Sequence, residues 1–331
     1  MVLILAGLTL STIANKKLYA GFGAVKGWFI FPIVFGIIFY DALKNNGGLL
    51  KKSLLAIFLS GAAVSAIGLV YKLLRAVTYD GRLAAFWDSP NQLAMFLAVP
   101  FLIGVSFSFQ KEENRAPYFF GVLLIGLNLF LTFSYGAWAA IVVALAVFFW
   151  LKYSRLSQKK YLFISATILL ALLSLASFDK YKNIKNLGDR SSLASRFMIW
   201  KSAGRMIEDN LLFGIGPGNF QNKYLEYQKY FPPYLEWSAP EPHNIFLAFW
   251  LEPGFLGLVG FIVLLFYFFS DNKIAIKSSR DLGILFLATM IYILVHGLVD
   301  TTYWRNDLAL VFWWVIAANL CAARISERAS E

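Results

Sequence analysis

The chain alternates between long apolar stretches and short polar connections. Ten of the stretches are apolar enough to cross a membrane as helices, because a helical crossing takes about 20 mostly apolar residues. They lie near residues 1–14, 28–42, 53–74, 92–109, 117–133, 136–151, 161–178, 244–269, 282–299 and 308–323. Helices also satisfy every backbone polar group inside lipid. The pattern therefore predicts an all-α integral membrane protein with about ten transmembrane helices.

One connection, residues 179–243, is much longer and more polar than the others. After a serine that could cap a helix, it carries residues at helical spacing: Phe197, Trp200, Gly204, Ile207 and Leu211. This spacing predicts an amphipathic helix that lies near the membrane surface. The run Gly214–Asn219 follows, and its three glycines and one proline permit tight turns and forbid further helix. The prediction is a single polytopic domain, residues 1–331, with one large loop.

The composition supports a membrane protein and excludes several other classes. Hydrophobic residues make up 59% of the chain and charged residues only 15%, whereas about a quarter of the residues of a soluble domain are charged. Cys321 is the only cysteine, so a disulfide framework is excluded. Met1 leads directly into an apolar run without a basic region, which predicts a first crossing and not a cleaved signal peptide.

The formal net charge of +11 reports membrane topology, because the basic residues lie between the apolar stretches and form no nucleic-acid-binding face. Fourteen lysines and arginines lie in one set of connections, near 44–52, 111–115, 152–160 and 273–280 and in the C-terminal tail. The opposite short connections hold six. The richer side is expected to be cytoplasmic, which places both termini inside and residues 179–243 outside.

Several polar features of the large loop allow two interpretations each. Arg196 and Arg205 either extend to lipid headgroups from a surface helix or bind a ligand, and the glycine-rich turn is either a plain connection or an anion site. The aromatic residues either form an interfacial belt or stack on sugar rings; they are Tyr224, Tyr227, Tyr230, Phe231, Tyr234 and Trp237. The two histidines, His243 and His296, lie near the outer ends of crossings and are either structural or catalytic.

Segments of the chain together resemble, in order and spacing, the signature region of the O-antigen ligase and O-antigen polymerase superfamily. They are Ser195–Trp200, Gly214–Phe220, Pro242–Leu247 and Glu252–Leu258. Asp88–Ala94 resembles the family's Pro-Asn-x-Leu-Ala entry to a crossing, and His296–Asp300 resembles its late His-Gly-Leu-x-Asp segment. The likeness extends over residues 80–320.

The resemblance implies a metal-independent glycosyltransferase without a cofactor, on the outer face of the bacterial inner membrane. Such enzymes move a glycan from an undecaprenyl diphosphate carrier to a hydroxyl of lipid A–core, of another glycan or of a protein. The family's functional arginine and histidine match Arg196 and His243.

The chemistry agrees with these residue types. A guanidinium group binds phosphate oxygens in bidentate fashion and is permanently charged, so it suits a diphosphate leaving group. A histidine suits the role of base for the acceptor hydroxyl. Direct displacement at the anomeric carbon would invert its configuration. The chain has no Asp-x-Asp pair to hold a metal-bound nucleotide sugar, which predicts a metal-free site.

The chain departs from the family at the turn before residue 136, where the family often has a functional arginine in Ser-Arg-Gly and this chain has Tyr135. Tyr135 cannot neutralise a phosphate, so either Arg205, Arg82 or Arg305 compensates or the substrate differs. These residues, with Asn244 beside His243, complete the predicted substrate-binding set.

Two other functions remain open at this stage. A transporter or flippase of lipid-linked glycans would place a broken helix in the membrane, and Glu252-Pro253-Gly254 interrupts a predicted crossing. A non-catalytic assembly partner would leave His243 without a chemical task.

Overall fold

The structure is a computed structural model that describes residues 1–16, 18–44, 46–110, 114–153, 192–232 and 238–328. Every regular element in these ranges is helical, which confirms the all-α class. The predicted crossing at 161–178 lies outside the described residues, as do residues 179–191 of the large loop and the aromatic residues Tyr234 and Trp237.

Thirteen α-helices are described, and we number them in chain order. The first seven are α1 (Val2–Ala14), α2 (Leu18–Ala24), α3 (Phe31–Lys44), α4 (Gly47–Leu73), α5 (Pro90–Ser108), α6 (Ala116–Leu131) and α7 (Tyr135–Lys152). A π-helical segment, Val25–Ile30, joins α2 to α3. The remaining six are α8 (Ser192–Asp209), α9 (Phe220–Tyr227), α10 (Ile245–Leu251), α11 (Gly254–Ser278), α12 (Arg280–His296) and α13 (Asn306–Arg328).

Six helical stretches among the described residues are long and apolar enough to cross a membrane. They are Gly21–Lys44, Gly48–Leu73, Pro90–Ser108, Tyr135–Lys152, Gly254–Ser278 and Asn306–Arg324. The helices α1 and α6 are apolar but shorter. The chain is therefore a multi-pass membrane protein, while the total of ten crossings stays a prediction.

The predicted crossing at 244–269 is wrong in its boundaries, because the structure has two helices there. The short α10 ends at Leu251, and α11 begins at Gly254 and continues to Ser278. Pro253 explains the break, since proline lacks the N–H that the α-helical ladder requires. Gly254 then adopts a φ of +76°, which continues the interruption. The predicted crossing at 282–299 similarly ends early, at His296.

The described residues group into two compact units. The first unit contains those within Met1–Gly36, Ala176–Ser270 and Leu294–Trp313. The second contains those within Ile37–Leu175, Asp271–Ile293 and Trp314–Glu331. The single polytopic domain over residues 1–331 stays a prediction.

In the first unit, α8 packs against both α9 and α10. The shared core contains Met198, Ile199, Ala203, Met206, Ile207, Ile215, Phe220, Tyr224, Ala239 and Leu251. The apolar face predicted for α8 is therefore partly wrong: Phe197 is 49% exposed, and Leu211 is 52% exposed beyond the helix end. Of the predicted residues Ile207 is buried, and the buried face also contains Met198, Ile199, Ala203 and Met206.

In the second unit, α4, α5 and α6 form a tightly packed group, and α7 contacts α5. Phe58 of α4 lies between two glycines, Gly104 of α5 and Gly121 of α6. A Cβ atom at either glycine would overlap the Phe58 ring. The absence of side chains at these two positions is what lets three helices converge on one aromatic ring, as small residues do in membrane helix interfaces.

Candidate functional site

His243 lies on the segment that leads into α10, in the first unit. Its φ is +47°, a left-handed backbone conformation that costs a non-glycine residue on the order of 1 kcal/mol. The indole Nε1 of Trp200, on α8, lies 3.1 Å from the carbonyl oxygen of Pro242 and 3.3 Å from that of His243. The Trp200 N–H therefore holds the backbone at the point where it is strained.

Asn244 connects the start of α10 to the segment after α12. Its Oδ1 accepts hydrogen bonds from the Phe246 and Leu247 amides at 2.9 and 3.0 Å, which is a helix N-cap. Its Nδ2 donates to the Leu298 carbonyl at 3.0 Å, and the Ile245 amide donates to Gly297 at 2.7 Å. The structure thus gives Asn244 a positioning role, and its predicted contact with substrate stays a prediction.

Asp300 joins the two residues that the family resemblance singled out. Its Oδ1 lies 3.0 Å from Nδ1 of His243, and its Oδ2 lies 3.6 Å from Nη2 of Arg196. The Arg196 Nε also donates to the Val299 carbonyl at 2.6 Å. We call these three side chains the His243–Asp300–Arg196 triad. Arg196 comes from α8, His243 from the segment before α10 and Asp300 from the segment after α12.

Asp300 is a site residue that sequence reasoning missed. It was noted only as the last residue of a segment that resembles the family, and its partners lie 57 and 104 positions away in the chain. The available signal was an acidic residue at the end of an apolar crossing, where an ionisable group tends to have a purpose.

The positive groups around Asp300 stabilise its ionised form. Burial by itself raises the pKa of the Asp300 carboxyl, whose side chain is only 4% exposed. The charges of His243, His296 and Arg196 outweigh this effect, so the pKa of Asp300 falls well below its usual range. Asp300 is therefore ionised at neutral pH. The Asp300 carboxylate accepts from the Nδ1–H of His243, and in a neutral ring this hydrogen bond leaves the lone pair on Nε2.

Arg205 and Arg305 belong to the same unit but are not part of the triad. Arg205 is half exposed on α8, where it pairs with Glu208 at 3.0 Å and Asp209 at 3.4 Å. It lies nine residues from Arg196, which at 3.6 residues per turn puts it on the opposite side of the helix. Arg305 pairs with Asp307 through Nε at 3.2 Å.

Arg82 and Tyr135 lie together in the second unit. The Arg82 Nε donates to the Thr132 carbonyl at 2.8 Å, and its Nη2 donates to Oδ1 of Asn91 at 2.8 Å. Thr132 belongs to the short turn that precedes Tyr135, the first residue of α7. The Arg82 charge also acts electrostatically on the Tyr135 hydroxyl. A guanidinium group is therefore present at the turn where the family often has its arginine.

The glycine-rich turn binds a carboxyl group of the protein itself. Gly214, Gly216 and Gly218 all have positive φ, which confirms the predicted tight turns. The Gly218 amide donates to Oε2 of Glu252 at 3.1 Å. Glu252 is only 2% exposed. The structure thus gives this turn an internal partner.

The fold and the site define a class of protein, a multi-pass membrane protein with a histidine and an arginine that contact one carboxylate outside its described spans. Residues 120–262 match the family described as O-antigen ligase. The match confirms the resemblance found in the sequence for this part of the chain, which includes Tyr135, Arg196 and His243. It implies a membrane glycosyltransferase of the O-antigen ligase and polymerase type. A comparison with curated proteins finds no match.

Proposed function

We propose that this protein transfers a glycan from an undecaprenyl diphosphate carrier to an acceptor hydroxyl, with inversion at the anomeric carbon and without a metal ion. The observation that supports this proposal most directly is the contact of His243 and Arg196 with one carboxylate, Asp300. This arrangement provides a base and a phosphate-binding cation in one place. The match of residues 120–262 to the O-antigen ligase family also supports glycosyl transfer.

His243 acts as the base for the acceptor. Its Nε2 accepts the hydroxyl proton while the hydroxyl oxygen forms a bond to the anomeric carbon. The bond from that carbon to the diphosphate oxygen breaks, and the diphosphate leaves with the electron pair. Asp300 stabilises the imidazolium that forms, and its hydrogen bond to Nδ1 keeps the ring oriented. The proton on His243 is then released to solvent.

Arg196 neutralises the leaving group. The developing charge on the diphosphate is stabilised by a guanidinium group, whose planar N–H donors match two phosphate oxygens. The Arg196 side chain is 16% exposed and is fixed by Val299 and Asp300. A fixed cation needs little reorganisation when charge develops, which is the main advantage of a preorganised site.

Among the three arginines that could compensate for Tyr135, the contacts favour Arg82. It is hydrogen-bonded to the turn that holds Tyr135, whereas Arg205 faces away from Arg196 on an exposed acidic surface. We assign Arg82, with Tyr135, to the glycan donor, and Arg205 and Arg305 to secondary contacts with substrate. Asn244 holds the segment with His243 in place, and we assign its side-chain amide to a contact with the substrate.

The acceptor belongs to one of three classes: lipid A–core, another glycan repeat or a protein side chain. The proposed location is the bacterial inner membrane with the site on its outer face, which is supported by the excess of lysine and arginine in the opposite connections.

The test is transfer by purified protein from undecaprenyl diphosphate-linked glycan to each acceptor class, with the mass and anomeric configuration of the product determined. We expect one inverted linkage from the wild type. His243→Ala is expected to lose roughly 10²- to 10⁴-fold in kcat, the usual contribution of general base catalysis. Arg196→Lys is expected to fail also, because a point charge replaces a planar fork.

A matched control is Lys201→Ala, which removes an exposed cation from the same helix as Arg196. This variant should keep wild-type turnover. Full activity of His243→Ala would remove the base from the scheme. Movement of labelled lipid-linked glycan across vesicles without any covalent product would instead support a transporter, the alternative that the break between α10 and α11 favours.

A further inference from the structure

Thr301 is a buried hydroxyl residue that directly follows Asp300 of the triad, and the mechanism above gives its side chain no task. The residue is only 1% exposed. Among the described residues, its Oγ1 has no hydrogen-bond partner. Buried polar atoms are nearly always hydrogen-bonded, because an unpaired one carries an uncompensated desolvation cost. An unpaired hydroxyl beside a reactive site therefore calls for a partner that the described part of the protein does not supply.

A backbone contact fixes the position of Thr301 at the triad. The Thr301 amide donates to Oδ1 of Asp300 at 3.0 Å. Within any threonine, Oγ1 lies no more than about 4 Å from the amide nitrogen, because only Cα and Cβ separate the two atoms. The Thr301 hydroxyl therefore lies within roughly 7 Å of the Asp300 carboxylate, whatever its rotamer.

The two oxygens of the Asp300 carboxylate have different partners. Oδ1 lies 3.0 Å from Nδ1 of His243 and accepts the Thr301 amide, whereas Oδ2 lies 3.6 Å from Nη2 of Arg196. Thr301 is thus bonded to the oxygen that orients the base, and the other oxygen faces the phosphate-binding cation. The His243 side chain is 29% exposed, so a substrate can reach the base from outside. These contacts place Thr301 on the acceptor side of the triad.

We infer, on the basis of the proposed function, that the Thr301 hydroxyl binds a second hydroxyl group of the acceptor, next to the one that reacts. A threonine hydroxyl both donates and accepts, which matches a sugar hydroxyl. A pyranose carries hydroxyl groups on adjacent carbons, so one can reach Nε2 of His243 while its neighbour meets Thr301. A hydroxyl side chain of a protein has only the group that reacts. Lipid A–core and a glycan repeat therefore fit this site, and a protein acceptor does not.

The Thr301 hydroxyl should contribute to acceptor binding and not to folding. Thr301→Val keeps the shape of the side chain and removes the unpaired hydroxyl, so the thermal midpoint in detergent should stay unchanged or rise. Thr301→Ser keeps a hydroxyl at the same position. Ser65→Ala is the matched control, because it removes another buried hydroxyl without a described partner, from α4 of the second unit.

The experiment measures equilibrium binding in detergent micelles to the wild type and these three variants. The probes are lipid A–core, the oligosaccharide released by mild acid from the lipid-linked donor, and a serine-containing peptide. We expect the wild type to bind at least one of the two sugar probes and not the peptide. Thr301→Val should bind that sugar roughly tenfold more weakly, through the loss of one hydrogen bond, while Thr301→Ser and Ser65→Ala stay within about threefold of the wild type.

Deoxy analogues of the bound sugar identify the hydroxyl that Thr301 contacts. The analogue that lacks this hydroxyl should bind the wild type about tenfold more weakly than the parent sugar does. Thr301→Val should bind the same analogue and the parent sugar equally, because the contact is already lost. A purely structural role of Thr301 would instead lower the affinity for every analogue by the same factor.

Four results would overturn the inference. They are a wild type that binds the peptide or none of the probes, wild-type affinity in Thr301→Val, a lower thermal midpoint in that variant, and equal losses for all analogues. Because binding is measured, these results do not depend on turnover. If the sugar contact is present but the wild type forms no glycosidic product, the proposed function fails while the contact stands. If transfer to a sugar proceeds and Thr301→Val has an unchanged KM for the acceptor, the proposed function stands and the contact is wrong.

Discussion

At the scale of single residues, the least expected feature of the site is the way His243 is held. Its backbone has the left-handed conformation, and the side chain of Trp200 bonds to the two carbonyl groups at that point. Trp200 lies one helical turn from Arg196 on α8. One helix thus fixes the backbone of His243 through an indole and the carboxylate of Asp300 through a guanidinium group, so the ring and its partner share one support.

A variant that removes only the indole N–H should therefore affect the chemical step. Trp200→Phe keeps an aromatic ring but releases the Pro242 and His243 carbonyl groups. We expect kcat to fall about tenfold, since a small misplacement of a base is costly, while the KM for the lipid-linked donor stays near the wild-type value. Trp250→Phe is the matched control, because the Trp250 indole donates a similar bond to the Leu211 carbonyl. A raised KM with normal kcat would contradict this role.

Arg196 and His243 could be predicted as site residues because each lies in a short segment that resembles a family motif. Asp300 could not be paired with them, since no local spacing relates residues from three separate parts of the chain.

At the scale of elements, the glycine-rich turn and the helix break form one joint. The Ile215 amide donates to the Leu251 carbonyl at 2.6 Å, and the Phe255 amide donates to the Leu212 carbonyl at 3.0 Å. The backbones are so close that a Cβ at Gly214 would overlap the Leu251 carbonyl oxygen. The turn therefore satisfies the backbone groups that the break between α10 and α11 exposes, as irregular backbone in a membrane protein requires.

Substitution in this joint should be costly. Gly214→Ala adds a methyl group where the φ is +63° and where the Leu251 carbonyl leaves no room. We expect a loss of about 2 kcal/mol or more in unfolding free energy, seen as a lower thermal midpoint in detergent. Gly204→Ala is the control, since nothing lies within 4 Å of its Cβ position in α8. Alanine there should stabilise the helix by up to about 1 kcal/mol. Equal midpoints for the two variants would contradict the close packing.

The boundaries of the helices show where the sequence pattern was sufficient. Apolar length predicted α4, α5 and α7 well, because a membrane crossing needs little more than length and low charge. The same criterion merged α10 and α11 into one crossing. Pro253 was visible in the sequence, but the joint that stabilises a break inside an apolar run depends on the distant turn at Gly214.

At the scale of the whole molecule, the lysine and arginine asymmetry predicts which connections face the cytoplasm. The prediction is testable with single cysteines in a Cys321→Ser background, because Cys321 is the only native thiol. Lys201→Cys should react with a membrane-impermeant maleimide on intact cells. Lys52→Cys should react only after the membrane is permeabilised. Both positions are exposed on the protein surface. The reverse labelling pattern would place the triad on the cytoplasmic side.

The order of the triad along the chain has a consequence for biosynthesis. Translation delivers Arg196 first, then His243, and Asp300 only after α12 has been made. A nascent polypeptide that has emerged as far as α11 already contains the base and the cation but has no carboxylate to align them. Such an intermediate lacks the assembled triad, so on the proposed function it would not consume lipid-linked glycan. Assembly of the triad thereby depends on synthesis of α12 and the segment that follows it.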